Sequence, residues 1–206
     1  MKDKEELTPK GVSRRGFLKG AGLTTAGTIV LQTGVLGKEN KGPETSKTIG
    51  PGQVTLEMTV NGKTRSLTIE PRATLAQALR DHLQLTGTKV VCDRGSCSAC
   101  TVWIDEMPVN ACMTFAMDVG ERKVTTIEGL AENGQLHPVQ EAFIDHDAMQ
   151  CGYCTPGMIM SAAHLLNENP NPTLEDVKHA TRGNYCRCGT YPHVFKATLE
   201  ASKKLK

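Results

Sequence analysis

The sequence lacks the composition of a nucleic-acid-binding protein. Aromatic residues make up only 4% of its 206 residues, with a single tryptophan, which leaves little surface on which bases or sugars could stack. An excess of charge of one sign is also missing. Residues 1–50 carry nine Lys and Arg against five Asp and Glu, and residues 51–206 carry fifteen against seventeen. Because a nucleic-acid partner selects a basic face, the slightly acidic body argues against one.

A long, strongly hydrophobic run is missing as well. The uncharged stretch over residues 20–37 is rich in Gly and Thr, and it falls short of the ~20 strongly apolar residues that a spanning helix needs. The segment directly before it resembles a twin-arginine export motif and reads Ser13-Arg14-Arg15-Gly16-Phe17-Leu18-Lys19. We therefore expect residues 1–37 to be a twin-arginine signal that directs the protein to the periplasm. No clear A-x-A cleavage site follows, so an uncleaved signal that tethers the chain to the membrane stays an alternative.

Alternating residues after the signal predict a β-hairpin. Residues 38–52 show no periodicity and are rich in Lys, Glu, Gly and Thr, as in a linker. Apolar and polar residues then alternate from Val54 to Val60, which is the period of a half-buried strand. Asn61-Gly62 is typical of a type I′ turn, and the apolar Leu67 and Ile69 belong to the return strand.

A helix and two further strands complete the predicted amino-terminal domain. Thr74 and Gln77 have the spacing of a capping box, and leucines follow at one-turn intervals. Residues 101–104 and 123–127 have the composition of strands, and a cysteine-rich loop over residues 92–100 precedes them. The order strand, turn, strand, helix predicts a β-grasp ferredoxin domain over residues 53–130.

Helix signals dominate after residue 130. Helix starts are predicted at Pro138, at the Thr155-Pro156 pair, at Thr173 with its partner Asp176, and at Tyr191. At the Thr155-Pro156 pair, we expect the Thr155 hydroxyl to cap a helix whose first residue is Pro156. Apolar residues at helical spacing follow each start. Residues 131–206 are therefore predicted to form a small four-helix bundle, and the fold class of the whole protein is predicted as α+β.

All eight cysteines lie after the linker and fall into two groups of four. The first quartet has the C-x4-C-x2-C spacing of plant-type [2Fe–2S] sites, with small residues between the ligands, and consists of Cys92, Cys97, Cys100 and Cys112. The second quartet precedes two predicted helices, whose amino termini favour the negative charge of thiolates, and consists of Cys151, Cys154, Cys186 and Cys188. The spacing favours two [2Fe–2S] clusters, one in each domain.

Other uses of these cysteines stay open at this point. An even number of cysteines behind an export signal is typical of disulfides, although Cys186 and Cys188, one residue apart, would need separate partners crowded together. C-x2-C pairs suit zinc, but the C-x4-C-x2-C loop suits it poorly. Inert core thiols are a further alternative. The corresponding function classes are an electron-transfer subunit, a free-standing ferredoxin and a disulfide-rich exported binding protein.

The residues around the cysteines resemble a known family, the small iron–sulfur subunits of molybdenum hydroxylases, which include xanthine oxidase and aldehyde oxidoreductase. The resemblance covers about residues 53–200 and is carried by residues 86–102, 150–158 and 183–189, with further landmarks at 110–112 and 126–130. The form Cys-Gly-Thr-Tyr at 188–191, together with the export motif, is most similar to periplasmic aldehyde and isoquinoline-type oxidoreductases. Val91 and Ser98 stand where the family usually has glycine.

The resemblance implies an electron-transfer subunit without a catalytic residue or pocket of its own. A large partner subunit would bind molybdopterin and hydroxylate an aldehyde or an aromatic N-heterocycle. Electrons would pass to the cluster of the helical domain, then to the β-grasp cluster, and finally to FAD on a flavin subunit or to the haem of a c-type cytochrome. Gln150 and Cys188 occupy positions that approach the pterin in this family. Because the twin-arginine route carries folded, cofactor-loaded proteins, the resemblance also removes the expectation of disulfides.

Overall fold

The computed structural model describes Arg15 and residues 50–205. Apart from Arg15, the predicted signal and all but the last residues of the predicted linker lie outside the described residues. Residues 50–205 belong to one compact unit. Among the described helices, none combines the length and the apolar character that crossing a membrane requires. The predicted domain boundary after residue 130 stays a prediction.

The predicted hairpin is confirmed. Strand β1 (Val54–Val60) pairs antiparallel with strand β2 (Lys63–Ile69), and the pairing of Val60 with Lys63 leaves Asn61 and Gly62 as a two-residue turn. These two residues have φ values of 50° and 72°, as a type I′ turn requires. The local turn chemistry therefore sets the register of the hairpin.

The described residues form one five-stranded sheet in the order β2-β1-β5-β3-β4. It is completed by β3 (Thr101–Ile104), β4 (Met107–Asn110) and β5 (Lys123–Thr125), and β5 runs parallel to β1. The sequence did not predict β4, which contains a proline and follows a turn at Asp105 and Glu106. The strand predicted over residues 123–127 ends at Thr125, because the Thr126 N–H donates to the Asn61 side chain (2.9 Å).

The predicted helix start at Thr74 is confirmed. The Thr74 hydroxyl accepts from the Gln77 N–H (3.2 Å), and the Gln77 side chain accepts from the Thr74 N–H (2.9 Å), which is a complete capping box. Helix α1 (Leu75–Gln77) continues as a π-helical segment over Ala78–His82. Its buried leucines pack on the sheet, and this core also contains Cys100 and Cys112.

The second part of the chain contains the predicted helices, and the mixed α+β composition is confirmed. They are α2 (Pro138–Asp145), α3 (Thr155–Glu168), α4 (Leu174–Thr181) and α5 (Tyr191–Lys204). Helix α2 packs on α5, and α3 packs on α4. The capping box at Thr173 is confirmed by the contact of its hydroxyl with the Asp176 N–H (3.2 Å).

The predicted capping role of Thr155 is wrong. Helix α3 begins one residue earlier than expected, because the Cys154 carbonyl already accepts from the Met158 N–H (3.1 Å). Cys154 is therefore the N-cap residue, and Thr155 is the first residue of the helix. The early start places a cysteine of the second quartet directly at the amino terminus of a 14-residue helix.

A second hydrophobic core joins these helices to the sheet. Trp103 of β3 is buried in it, and its indole N–H donates to the Met160 carbonyl of α3 at 3.1 Å. Cys154 and Cys186 belong to this second core. Each cysteine quartet therefore borders its own core, and β3 connects the two.

Candidate iron–sulfur centres

Polar contacts fix the segment that leads into the first cysteine loop. The Arg80 guanidinium donates to the carbonyls of Thr86 (2.9 Å) and Thr88 (2.7 Å). From the other side, the Glu128 carboxylate accepts from the Gly87 N–H at 2.7 Å. These contacts attach the chain before Cys92 to the π-helical segment that follows α1 and to the segment after β5, so the loop starts from a fixed point.

The loop turns tightly around its sulfur atoms. Asp93, Gly95 and Ser98 all have φ values between 50° and 70°, the left-handed region that reverses the chain direction. The Gly95 N–H donates to Cys112 Sγ at 3.3 Å, and the Ser96 N–H donates to Cys92 Sγ at 3.3 Å. As the small residues of this loop predict, backbone N–H groups point at the sulfurs.

The thiols of the first quartet form two contacting pairs in different environments. Hydrogen bonding from the Arg94 backbone N–H, followed by the Cys97 thiol, lowers the pKa of the half-buried Cys92 to about 7. Burial raises the pKa of Cys100, which contacts Cys112, to about 12. Cys92 pairs with Cys97 near the surface, and Cys100 pairs with Cys112 in the core.

The second quartet lies where two helices begin. Cys154 caps α3, and Cys186 and Cys188 lie in the turn before α5. The Cys154 thiol contacts Cys186, and the Cys188 thiol contacts Cys151. The quartet again consists of two pairs, one buried and one nearer the surface.

Hydrogen bonds around Cys186 stabilise its thiolate. Burial raises its pKa, but hydrogen bonds from the Thr190 hydroxyl and backbone outweigh this effect and lower the pKa to about 7. The Thr190 hydroxyl lies 3.2 Å from Cys186 Sγ, and the Tyr191 hydroxyl accepts from the Cys186 N–H at 2.9 Å. Burial, with the Cys186 thiol, raises the pKa of Cys154 to about 12. The pair therefore contains one readily ionised thiol.

These features fit [2Fe–2S] clusters. All eight cysteines are free thiols. Over residues 50–205, no three His, Cys, Asp or Glu side chains converge as ligands of a single ion, and the thiols meet in pairs. A [2Fe–2S] cluster takes four cysteine thiolates, two on each iron, so pairs suit it. Next to Cys154, the buried Thr155 hydroxyl has no partner among the described residues and stands at a helix amino terminus, where negative charge is favoured.

When bound, such a cluster takes up and releases one electron, and the chain's own residues supply its surroundings. Backbone N–H groups and the amino terminus of α3 offset the charge of the thiolates. Gln150 is exposed beside Cys151, and Cys188 is half-buried against the same residue. Their role towards a pterin stays a prediction.

The two quartets lie on adjoining loops, a feature that the sequence did not predict. The Tyr185 N–H, next to Cys186, donates to the Cys97 carbonyl at 3.0 Å. A mostly apolar cavity of about 340 Å³ opens beside this contact and is lined by Val91, Ala99, Tyr153 and Tyr185 together with three of the cysteines. Asn184 and Tyr191 also contact the cysteine loops, through the Ser98 carbonyl and the Cys186 N–H respectively. The sequence did not predict a role at the site for either residue, and closeness to Cys186 along the chain was the available signal.

Two family models match the chain, one over each quartet. Residues 58–131 match the 2Fe-2S iron-sulfur cluster binding domain, and residues 126–199 match the [2Fe-2S] binding domain. The first match contains all of the first quartet, and the second match contains all of the second. The two matches support the prediction of two [2Fe–2S] clusters, whereas the predicted domain bounds stay a prediction.

Known proteins resemble the chain over most of its length. The aldehyde oxidoreductase iron-sulfur-binding subunit PaoA of Escherichia coli O157:H7 is 37% identical over 98% of this chain and 93% of its own length. The nicotine 6-hydroxylase small subunit of Paenarthrobacter nicotinovorans is 44% identical over 72% of this chain and 90% of its own length. This chain belongs to the iron–sulfur subunits of the molybdenum hydroxylase family.

A solved structure of the family supports the same conclusion. The crystal structure of quinoline 2-oxidoreductase from Pseudomonas putida 86 matches with a TM-score of 0.72 at 38% identity, and covers 74% of this chain and 96% of that chain. The predicted family and the predicted place in an oxidoreductase complex are confirmed. Ser98 has a φ of 50°, a conformation that glycine adopts without strain.

Proposed function

We propose that this chain carries electrons from a molybdopterin site on a large partner subunit, through two [2Fe–2S] clusters, to a flavin subunit or a c-type cytochrome. The observation that carries the proposal is the pairwise approach of the thiols in two quartets on adjoining loops, joined by the 3.0 Å contact between Tyr185 and Cys97. Electron transfer between two centres needs a short and fixed separation, and adjoining loops supply one. A free-standing ferredoxin would need only the first quartet.

Each quartet has a separate role in this proposal. The first cluster would be held by Cys92, Cys97, Cys100 and Cys112, and the second by Cys151, Cys154, Cys186 and Cys188. The helices after residue 130 would form a four-helix bundle that presents the second cluster, with Gln150 and Cys188, to the pterin. Substrate chemistry would take place on the large subunit. The relatives favour an aldehyde or an aromatic N-heterocycle as substrate, since one is an aldehyde oxidoreductase subunit and another a nicotine hydroxylase subunit.

Purification of the complex from the native host tests this function. We expect the chain to copurify with a large molybdenum-containing subunit, to contain about four irons, and to give two distinguishable [2Fe–2S] signals in electron paramagnetic resonance (EPR) spectra. Identification of the remaining bound subunits would distinguish a flavin acceptor from a cytochrome. Purified protein with zinc or no metal at the cysteines would contradict the proposal.

We also propose that the protein is exported to the periplasm by the twin-arginine route, on the basis of its amino-terminal motif. Replacing Arg14 and Arg15 together with lysine keeps the charge and removes the guanidinium groups of the motif. We expect the double variant to accumulate in the cytoplasm with its iron content unchanged, as measured by cell fractionation and iron analysis. The matched control replaces Lys38 and Lys41 with arginine and should be exported normally. Normal export of the Arg14 and Arg15 variant would refute this localisation.

A further inference from the structure

One backbone carbonyl, that of Ser98, lies between the two cysteine quartets and accepts three hydrogen bonds. Two come from Thr101 in the same loop, from its N–H at 3.3 Å and its hydroxyl at 2.8 Å. The third comes from the side-chain amide of Asn184 at 3.1 Å, across 86 residues of sequence. The Asn184 amide is therefore the side chain that ties the second cysteine loop to this carbonyl of the first.

Asn184 itself is held rigidly. Its side chain is buried, with the residue only 3% exposed. Its N–H donates to the Thr181 carbonyl (2.9 Å), and its carbonyl accepts from the Tyr191 hydroxyl (3.1 Å). The same hydroxyl accepts from the Cys186 N–H (2.9 Å). The amide that reaches Ser98 is thus anchored to α4, to α5 and to the backbone of a second-quartet cysteine.

Two backbone contacts lie beside the hydrogen bond from Asn184 to Ser98. The neighbouring Tyr185 N–H donates to the Cys97 carbonyl at 3.0 Å. A Cβ atom added to Gly157 would clash with the Ser98 carbonyl oxygen, so α3 touches the first loop at its backbone. The first contact joins Cys97 to the residue before Cys186, and the second joins the residue after Cys97 to the third residue after Cys154. Both contacts therefore act close to cysteines of both quartets.

We infer that Asn184 is a positioning residue that sets the separation of the two clusters through its hydrogen bond to the Ser98 carbonyl. The inference rests on both quartets carrying clusters. Without the amide, the Ser98 carbonyl keeps its two bonds from Thr101, so the first loop stays satisfied while the second loses its side-chain tie. The Cys186 loop then moves relative to the first cluster, and the distance between the clusters changes or becomes heterogeneous.

Magnetic coupling between the two reduced clusters tests the inference, because it falls steeply with their separation. The experiment compares the full chain with its Asn184→Ala and Thr101→Val variants, each reduced with dithionite and measured by pulsed EPR. Thr101→Val is the matched control, since it removes a side-chain hydrogen bond from the same carbonyl without touching the contact between loops. We expect a weaker or broadened coupling for Asn184→Ala and the wild-type coupling for Thr101→Val.

A second variant keeps the test decisive if Asn184→Ala fails to fold. Asn184→Asp keeps the size of the side chain, but its carboxylate cannot donate to a carbonyl, so the same change in coupling is expected. Unchanged coupling in a folded Asn184 variant would overturn the inference, as would an equal loss in Thr101→Val or an absence of coupling in the wild type. Iron analysis separates this failure from failure of the proposed function, because only the latter leaves the wild type without two clusters.

Discussion

Replacing Gly157 with alanine should destabilise the protein severely, although alanine is ordinarily the better residue inside a helix by about 1 kcal/mol. Gly157 is the third residue of α3, and the added Cβ would lie 2.1 Å from the Ser98 carbonyl oxygen and 3.1 Å from the Ala99 Cα. Both neighbours are backbone atoms of the first cysteine loop and cannot rotate away. We expect the steric cost to reverse the helix preference and to lower the free energy of unfolding by about 3 kcal/mol.

Thermal unfolding measured by circular dichroism, together with the loss of visible absorption, checks this expectation. Gly52→Ala is the control, because a Cβ at Gly52 would meet no atom within 4 Å, and its midpoint should stay close to that of the wild type. We expect Gly157→Ala to lose visible absorption well before the wild type, since the contact joins the first cysteine loop to α3, the helix that Cys154 caps. A Gly157→Ala protein as stable as the wild type would show that α3 and the first cysteine loop are not in backbone contact.

Removing one cysteine from a quartet should eliminate one cluster and leave the other. Cys112 belongs to the first quartet and borders the sheet core, whereas Cys188 belongs to the second and packs against the helical core. We expect Cys112→Ala and Cys188→Ala each to lower the iron content from about four to about two per chain. The two variants should lose different EPR signals, because each core supports its own quartet.

The two cysteine variants serve as controls for each other. A further control is Tyr153→Phe, which changes an exposed side chain between Cys151 and Cys154 and removes no thiol, so its iron content should equal that of the wild type. Loss of all iron from a folded single variant would mean that the quartets do not act independently. Full iron retention in either cysteine variant would show that the missing thiol is not a ligand.

Local signals in the sequence predicted the elements that depend on a few neighbouring residues. The Asn61-Gly62 turn, the capping box at Thr74 and the capping box at Thr173 all have the predicted geometry. In each case a side chain or a backbone preference acts within four residues, so tertiary packing has little to change. The spacing of the cysteines predicts two quartets in the same way, since it reflects the loop length that wraps a cluster.

Other features escaped prediction because distant residues decide them. Strand β4 has a proline at its centre and forms because it can pair with β3, and the fifth strand stops at Thr125 because Asn61 takes the next N–H. Thr155 is of a residue type that commonly caps helices, yet the preceding Cys154 occupies the N-cap position. In each case local propensity favoured a different secondary structure or boundary, and contacts with other residues outweighed that preference.

The sequence by itself determined which cysteines belong together within each quartet, where most helices begin and which family the chain resembles, because these properties depend on spacing along the chain. Only the tertiary structure decided how the two quartets adjoin. The contact from Asn184 to Ser98 joins residues 86 positions apart, and it depends on the packing of β3 and α3, which the Trp103 hydrogen bond to Met160 also joins. Hydrogen bonds between loops leave no periodic trace in a sequence, because their partners are selected by the packing of the elements that carry them.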